Sequence, residues 1–461
     1  MQKELFNDFP EVSSKEWKQK IQYDLKGEDY NEKMVWESPE GIKVKPFYHS
    51  DDLDHVSLEN YQPRNWKISE SIRVEDEQLS NATIKKALKS GADSLLITIT
   101  KESINFEILL DDINLVSTEL HFNFDFLSKS YIEKLSNFLI KNKISFHLHI
   151  DPITKLAKTG NWFDNQKEDF HNYNSILPST NLLSIDASTY QNAGANMIQQ
   201  LAYALAQANE YLNITNPKII KTTTFKIAVG GNYFFEIAKI KALRKLYAIL
   251  AHEYGLNIDC QIIATPSLRN KTIYAYNTNI SRNTTEYMSA IIGGSDIICT
   301  TPHDKIFRKD DDFAKRIALN QLLLLKNESH FNFIEDPTSG AFYIENLTRQ
   351  LCQKALDLFK QVEASGGFLK QLKTGIIQKK IKESADKEQA KFENGENILV
   401  GTNRFINSED KMKNQLEVFP FVKKNRQKTL IEPIIEKRLS EKVESERLLK
   451  EGWKLTNKIS H

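Results

Sequence analysis

Two short stretches carry the side chains most able to do chemistry. In His121-Phe122-Asn123-Phe124-Asp125-Phe126, phenylalanines alternate with polar residues. In Phe146-His147-Leu148-His149-Ile150-Asp151, the apolar set is Phe146, Leu148 and Ile150. A strand turns successive side chains to opposite faces, so each polar set shares a face. If the apolar faces meet helices, Asn123, Asp125, His147 and His149 point toward the axis of a barrel. Most barrels fill that axis with branched apolar side chains. A polar axis means a buried hydrogen-bond network or a channel for a polar ligand. General grounds favour the network, because buried polar groups must be paired and these can pair with each other. A spacing of two on one strand would also let His147 and His149 ligate a metal. No third ligand stands nearby in the sequence, so no metal is expected.

Other chemical signals are weak. Gly230-Gly231, Gly293-Gly294 and Gly366-Gly367 could cradle a phosphate, but the lysine and hydroxyl residue of a P-loop are missing, so tight turns are the expected use. G-x-S-x-G and H-E-x-x-H are absent. The three cysteines, Cys260, Cys299 and Cys352, are far apart, which excludes a disulfide framework and a cysteine-rich zinc site.

These residues need a frame. From about 91 to 377, short β-rich runs alternate with helical ones, the rhythm of parallel strands joined by crossover helices. Eight strands are expected: Ser94 to Thr100, Phe106 to Leu110, Glu119 to Phe124, Ser145 to Ile150, Leu182 to Ala187, Phe225 to Val229, Asp259 to Ala264 and Asp296 to Thr300. Between them, Met197, Leu201, Ala204, Leu205, Ala208 and Leu212 recur at helical spacing. The expected fold is α/β, a (β/α)8 barrel. A doubly wound open sheet is the rival, but its G-x-G-x-x-G fingerprint is missing. Residues 1–90 read as an N-terminal wrapping extension, irregular and rich in aromatics and prolines. Residues 378–461 read as a charged helical C-terminal segment, a solvated tail.

The chain has 461 residues, 62 Lys+Arg against 61 Asp+Glu, and 40% hydrophobic residues. That length and composition can bury a sizeable core. The even charge argues against nucleic-acid or membrane partners. No apolar run suits a signal peptide or a bilayer span, so a cytoplasmic protein is expected.

Several segments, in order, resemble the adenosylcobalamin-dependent acyl-CoA mutases, methylmalonyl-CoA mutase in particular. They are Trp36 to Tyr48, Arg64-Asn65-Trp66-Lys67-Ile68, Gln191-Asn192-Ala193-Gly194-Ala195 with Gln200 to Ala206, Phe234 to Arg244, Asp336 to Thr348, Glu363 to Gly367, and Gly395-Glu396-Asn397 with Gly401-Thr402-Asn403. The resemblance covers about residues 30 to 405. It implies a (β/α)8 barrel whose axis is threaded by the coenzyme A tail of the substrate, followed by a separate cobalamin-binding domain. It therefore adds weight to a former or actual channel through the polar axis.

The departures from the family pattern matter as much. The cobalt-ligating motif D-x-H-x-x-G occurs at none of the ten histidines, and no cobalamin-binding domain is expected in this chain. Catalytic members carry Tyr-His before the Glu-Ala-Gly-Ala helix, and here those positions are Ser188 and Thr189. Their Arg-Gln-Tyr corresponds to Ser69-Glu70-Ser71, and their Gln-Asn-Asp, more loosely, to His149-Ile150-Asp151. Losing an imidazole aimed at developing charge costs orders of magnitude in rate. With Ser71, Ser188 and Thr189 at the family's catalytic positions, no catalytic or cofactor-binding residues are expected in this chain. The resemblance is thus to the non-catalytic small subunits of heterodimeric family members. It implies a homologous large subunit as partner, with adenosylcobalamin and the acyl-CoA substrate held there. An acyl-CoA-binding barrel, and the substrate half of a split mutase, are the alternatives.

Overall fold

The computed structural model describes residues 9–52, 65–115, 117–309, 311–333, 336–422 and 428–453. Eight parallel strands form one sheet rolled into a barrel. They are β1 (Lys67–Val74), β2 (Ser94–Ile99), β3 (Glu119–Phe124), β4 (Ser145–His149), β5 (Leu182–Asp186), β6 (Thr222–Val229), β7 (Cys260–Pro266) and β8 (Ile297–Cys299). Ladders join β4-β3-β2-β1-β8-β7-β6-β5 in that order. The order leaves β4 and β5 as its two ends, and no ladder joins them among the described residues.

Seven of the expected strands form. The stretch Phe106 to Leu110 does not: it holds a short helix, Phe106–Leu109. The Asn105 side chain accepts the amides of Glu107 and Ile108 there, so a capped helical turn outcompetes an isolated strand. The eighth strand is β1, which lies inside the stretch read as extension. Its sequence, Lys-Ile-Ser-Glu-Ser-Ile-Arg-Val, alternates in type. Ile68, Ile72 and Val74 are buried, and each contributes roughly 1.5–3 kcal/mol by leaving water. Lys67, Ser69, Ser71 and Arg73 take the other face.

Helices cover the outside of the barrel. Glu77–Lys89 is capped by Asp76, Lys129–Lys141 by Ser128, and Met197–Ile214 by a capping box of Asn196 and Gln199. Tyr233–Glu253 is buried on most sides because Phe342–Ala364 packs over it. No helix among the described residues is long and apolar enough to cross a membrane.

The C-terminal part departs from a solvated helical tail. Helices Ile376–Glu393 and Glu441–Lys450 are separated by a long irregular stretch. Residues 428–440 pack over the segments that follow β4, β5 and β7. The amides of Leu430 and Ile431 donate to Gly160 O, Ile434 to Ala157 O, Lys437 to Asn192 O and Leu439 to Arg269 O. Gly160 permits this approach: a Cβ there would lie 2.5 Å from Ile431 O, and its φ is +75°. Arg438 and Glu444 are buried and paired at 2.6 Å. Of the aromatics expected on the extension, Trp17 and Trp36 are about half exposed. Phe47 packs on Trp17 and Tyr48 on Tyr343. Phe6 lies outside the described residues.

Candidate functional site

The bore of the barrel is apolar on one side and polar on the other. Leu96, Ile263, Ile297 and Cys299 form the apolar patch. Opposite them β3 and β4 run in register, with Glu119 beside Ser145, His121 beside His147 and Asn123 beside His149. The alternation seen in the sequence therefore stacks the polar faces of both strands in the bore. His147 and His149 lie there, and His121 and Glu119 join them.

The polar side chains close the lower bore. Gln261 on β7 donates to Glu119 Oε1 at 2.8 Å, straight across the barrel. Lys67 pairs with Glu119 Oε2, and Thr224 donates to Gln261 Oε1 at 3.1 Å. The Nε2 atoms of His121 and His147 each lie 3.0 Å from Glu119 Oε1. His121 Nδ1 meets His149 Nε2 at 2.9 Å, and His149 Nδ1 meets Ser184 Oγ at 2.9 Å. This last contact spans β4 and β5, where ladder bonds are missing.

Electrostatics follow from the burial. Burial raises Glu119, but the imidazoles of His121 and His147 and the Lys67 ammonium outweigh it. They hold the carboxyl far below the ordinary carboxylate range. Burial drives His121 down to about 4, against the pull of Glu119. Burial, reinforced by the Lys226 charge, also drives His149 well down. Burial thus favours the neutral forms of His121 and His149.

Above the floor the bore is more open. Lys226 donates to Asn123 Oδ1 at 2.8 Å and lies 3.8 Å from Asp186. Asp186 also accepts from Lys158 at 3.1 Å and from Ser188 Oγ. Burial opposes the charge on Asp186, yet Lys158 and Lys226 hold its carboxyl well below the usual range. Desolvation opposes the charge on Lys158 as well, but Asp186 and Glu436 push its ammonium up to about 12. Asp125, the fourth residue read as facing the axis, lies just beyond the end of β3. It sits exposed at the mouth and pairs with Arg73 at 2.6 Å.

The positions read as replaced catalytic groups are spread around the upper bore. Ser71 lies on β1 and is exposed. Ser188 and Thr189 open the short helix Ser188–Asn192 after β5. Thr189 is buried and donates to Glu436 Oε1 at 3.1 Å, so residues 428–440 hold it. Asp151 is occupied structurally: it accepts from the Thr154 amide, from Gln207 Nε2 and from Tyr211 Oη at 2.9, 2.9 and 2.6 Å. The Gly-Gly pairs fall at element ends, as turns require.

Glu119, His121, Lys67, Lys226 and Gln261 were not among the candidates. Glu119 and His121 could have been found by extending the Asn123–Asp125 alternation two and four residues back. Finding Glu119 also removes the ground for expecting no metal, since it is the third potential ligand beside His147.

Comparison with known proteins bears on the whole frame. The family model described as Methylmalonyl-CoA mutase matches residues 149–452. The methylmalonyl-CoA mutase small subunit of Porphyromonas gingivalis is 35% identical over 87% of this chain and 71% of its own length. The methylmalonyl-CoA mutase of Rhizobium meliloti is 27% identical, over 86% of this chain and 64% of its own. The large subunit from Porphyromonas gingivalis is 27% identical, over 80% and 61%. The match thus spans about two thirds of these relatives' lengths.

Proposed function

The chain belongs to the methylmalonyl-CoA mutase family, and on that premise we propose that it serves as a non-catalytic small subunit. Its role is to pair with and support a homologous large subunit. The assembly interconverts (R)-methylmalonyl-CoA and succinyl-CoA in the cytoplasm, with the adenosylcobalamin radical chemistry residing in the large subunit. The presence of both a small and a large subunit in Porphyromonas gingivalis supports a two-chain assembly.

One observation carries the reading. Gln261 and Glu119 hydrogen-bond across the full width of the bore, with Lys67 and the imidazoles around them. A coenzyme A tail cannot thread a bore whose opposite walls meet at 2.8 Å. Two further observations agree. Ser188 and Thr189 offer hydroxyls where the family pattern has Tyr-His, and both are already engaged. Residues 428–440 pack on the C-terminal side over the segments after β4, β5 and β7, which leaves less of that face for a corrin.

The test is expression with and without the large subunit. Alone, the chain should show no cobalamin absorbance, no turnover and no heat with coenzyme A thioesters in calorimetry. Co-expressed, the two should purify at one-to-one stoichiometry. Turnover by this chain alone, or after adding a separate cobalamin-binding domain, would overturn the proposal. Tight thioester binding by the lone chain would favour the acyl-CoA-binding alternative.

A further inference from the structure

The floor of the bore holds an arrangement that closing the bore does not require. Glu119, His121 and His147 bring one ligand atom each to within 4.8 Å of one another. Ions held about 2.0–2.2 Å from nitrogen and carboxylate ligands keep those ligands some 3–4 Å apart, so only a small adjustment separates this cluster from a ligand set. His121 Nε2 is the telling atom. It is fully buried and 3.0 Å from Glu119 Oε1, yet makes no hydrogen bond of acceptable direction. An unsatisfied buried nitrogen is costly to keep.

The surroundings explain how the nitrogen is held in place. The relay Ser184–His149–His121 grips the other ring nitrogen, Nδ1. A hydrogen bond at one imidazole nitrogen fixes the ring and directs the other nitrogen's lone pair, the usual support for a metal-bound histidine. The His121 and His147 rings lie nearly parallel, 9° apart in plane and 4.8 Å between centroids, and both present Nε2 to the same carboxylate.

We propose that Glu119, His121 and His147 bind a divalent first-row transition-metal ion. Two imidazoles and a carboxylate suit zinc, cobalt, nickel or ferrous iron better than calcium or magnesium. A cleft of about 420 Å³ beneath the barrel, lined by Lys67, Glu119 and Gln261 among others, reaches the Glu119 carboxylate from outside. Lys67 is the built-in competitor, because its ammonium neutralises Glu119 Oε2. Its side chain is 38% exposed and can swing into the cleft when an ion arrives. The bound ion would pin β3 to β4.

The experiment uses the untagged full chain, stripped with chelator and titrated with Zn²⁺ in calorimetry. Co²⁺ titration adds a visible spectrum that reports nitrogen ligation. One ion per chain is expected. Glu119→Gln and His147→Ala should abolish binding, and His149→Ala should weaken it by roughly 10–100-fold through loss of ring orientation. Lys67→Met leaves all three ligands in place and should tighten binding. That variant keeps the test decisive even if a ligand variant folds poorly. Absence of stoichiometric binding, binding unchanged in Glu119→Gln and His147→Ala, or no tightening in Lys67→Met would each overturn the site.

Discussion

The two ends of the bore are built by different means. At the lower end, side chains of the strands reach across and meet each other, leaving a wet cleft outside. At the upper end, where barrels of this type assemble active sites, a distant part of the chain packs over the segments that follow β4, β5 and β7. There residues 428–440 are held by backbone hydrogen bonds and by the buried Arg438–Glu444 pair. The lower closure costs little to the frame, since it uses inward positions the strands already present. The upper packing occupies part of the face on which barrel chemistry depends. The contrast is in keeping with the supporting role proposed above.

That contrast can be broken most forcefully at the upper end. Arg438→Ala leaves Glu444 buried and uncompensated, and should cost about 3–5 kcal/mol in urea unfolding. Unchanged stability would mean that residues 428–440 do not secure the upper end. Asp186→Asn, just below, should cost about 1–3 kcal/mol at neutral pH by leaving Lys158 and Lys226 short of a partner. Because the folded pKa of Asp186 is depressed, its contribution is present above the unfolded carboxylate value. It fades as pH falls toward the lower folded one. The gap between wild type and variant, followed by thermal melts, should therefore narrow on acidification. A gap that widens would reverse the assigned charge.

The lower end should respond more mildly. Gln261→Ala removes one cross-bore hydrogen bond while Lys67 still neutralises Glu119, so about 1 kcal/mol is expected. Calorimetry with coenzyme A thioesters should stay blank, since the imidazoles still fill the floor. New thioester binding would show that a single amide keeps the bore shut. Ser71→Ala is the sharpening control. Ser71 is exposed on β1, so its loss should shift stability by less than about 0.5 kcal/mol and leave the activity of the assembled enzyme unchanged. A fall in that activity would assign Ser71 a working role.

The barrel was largely legible because periodicity is local. Seven strands announced themselves by short apolar or alternating runs between helical ones. The eighth alternates as cleanly, in Lys67 to Val74, but sits beside an irregular stretch that disguised it. Phe106 to Leu110 misled because five mostly apolar residues fit either structure, and Asn105 was the capping signal that decides for helix. The polar faces of β3 and β4 were readable for the same local reason. Their partners were not. Gln261 meets Glu119, and Lys226 meets Asn123, only because the stagger of the rolled sheet brings opposite walls to one level. No spacing along the chain encodes that stagger. Arg438 and Glu444, six residues apart, read as part of a solvated charged face. Their burial depends on docking against Lys271 and Pro420, whose carbonyls Arg438 also reaches.

The missing ladder between β4 and β5 makes this sheet a rolled ribbon and not a hoop. Its two free margins are stitched by His149 with Ser184, and by the Asp186 amide donating to Asp151. Amide protons along those margins should therefore exchange with deuterium ahead of the other six strands, and unrolling should start there.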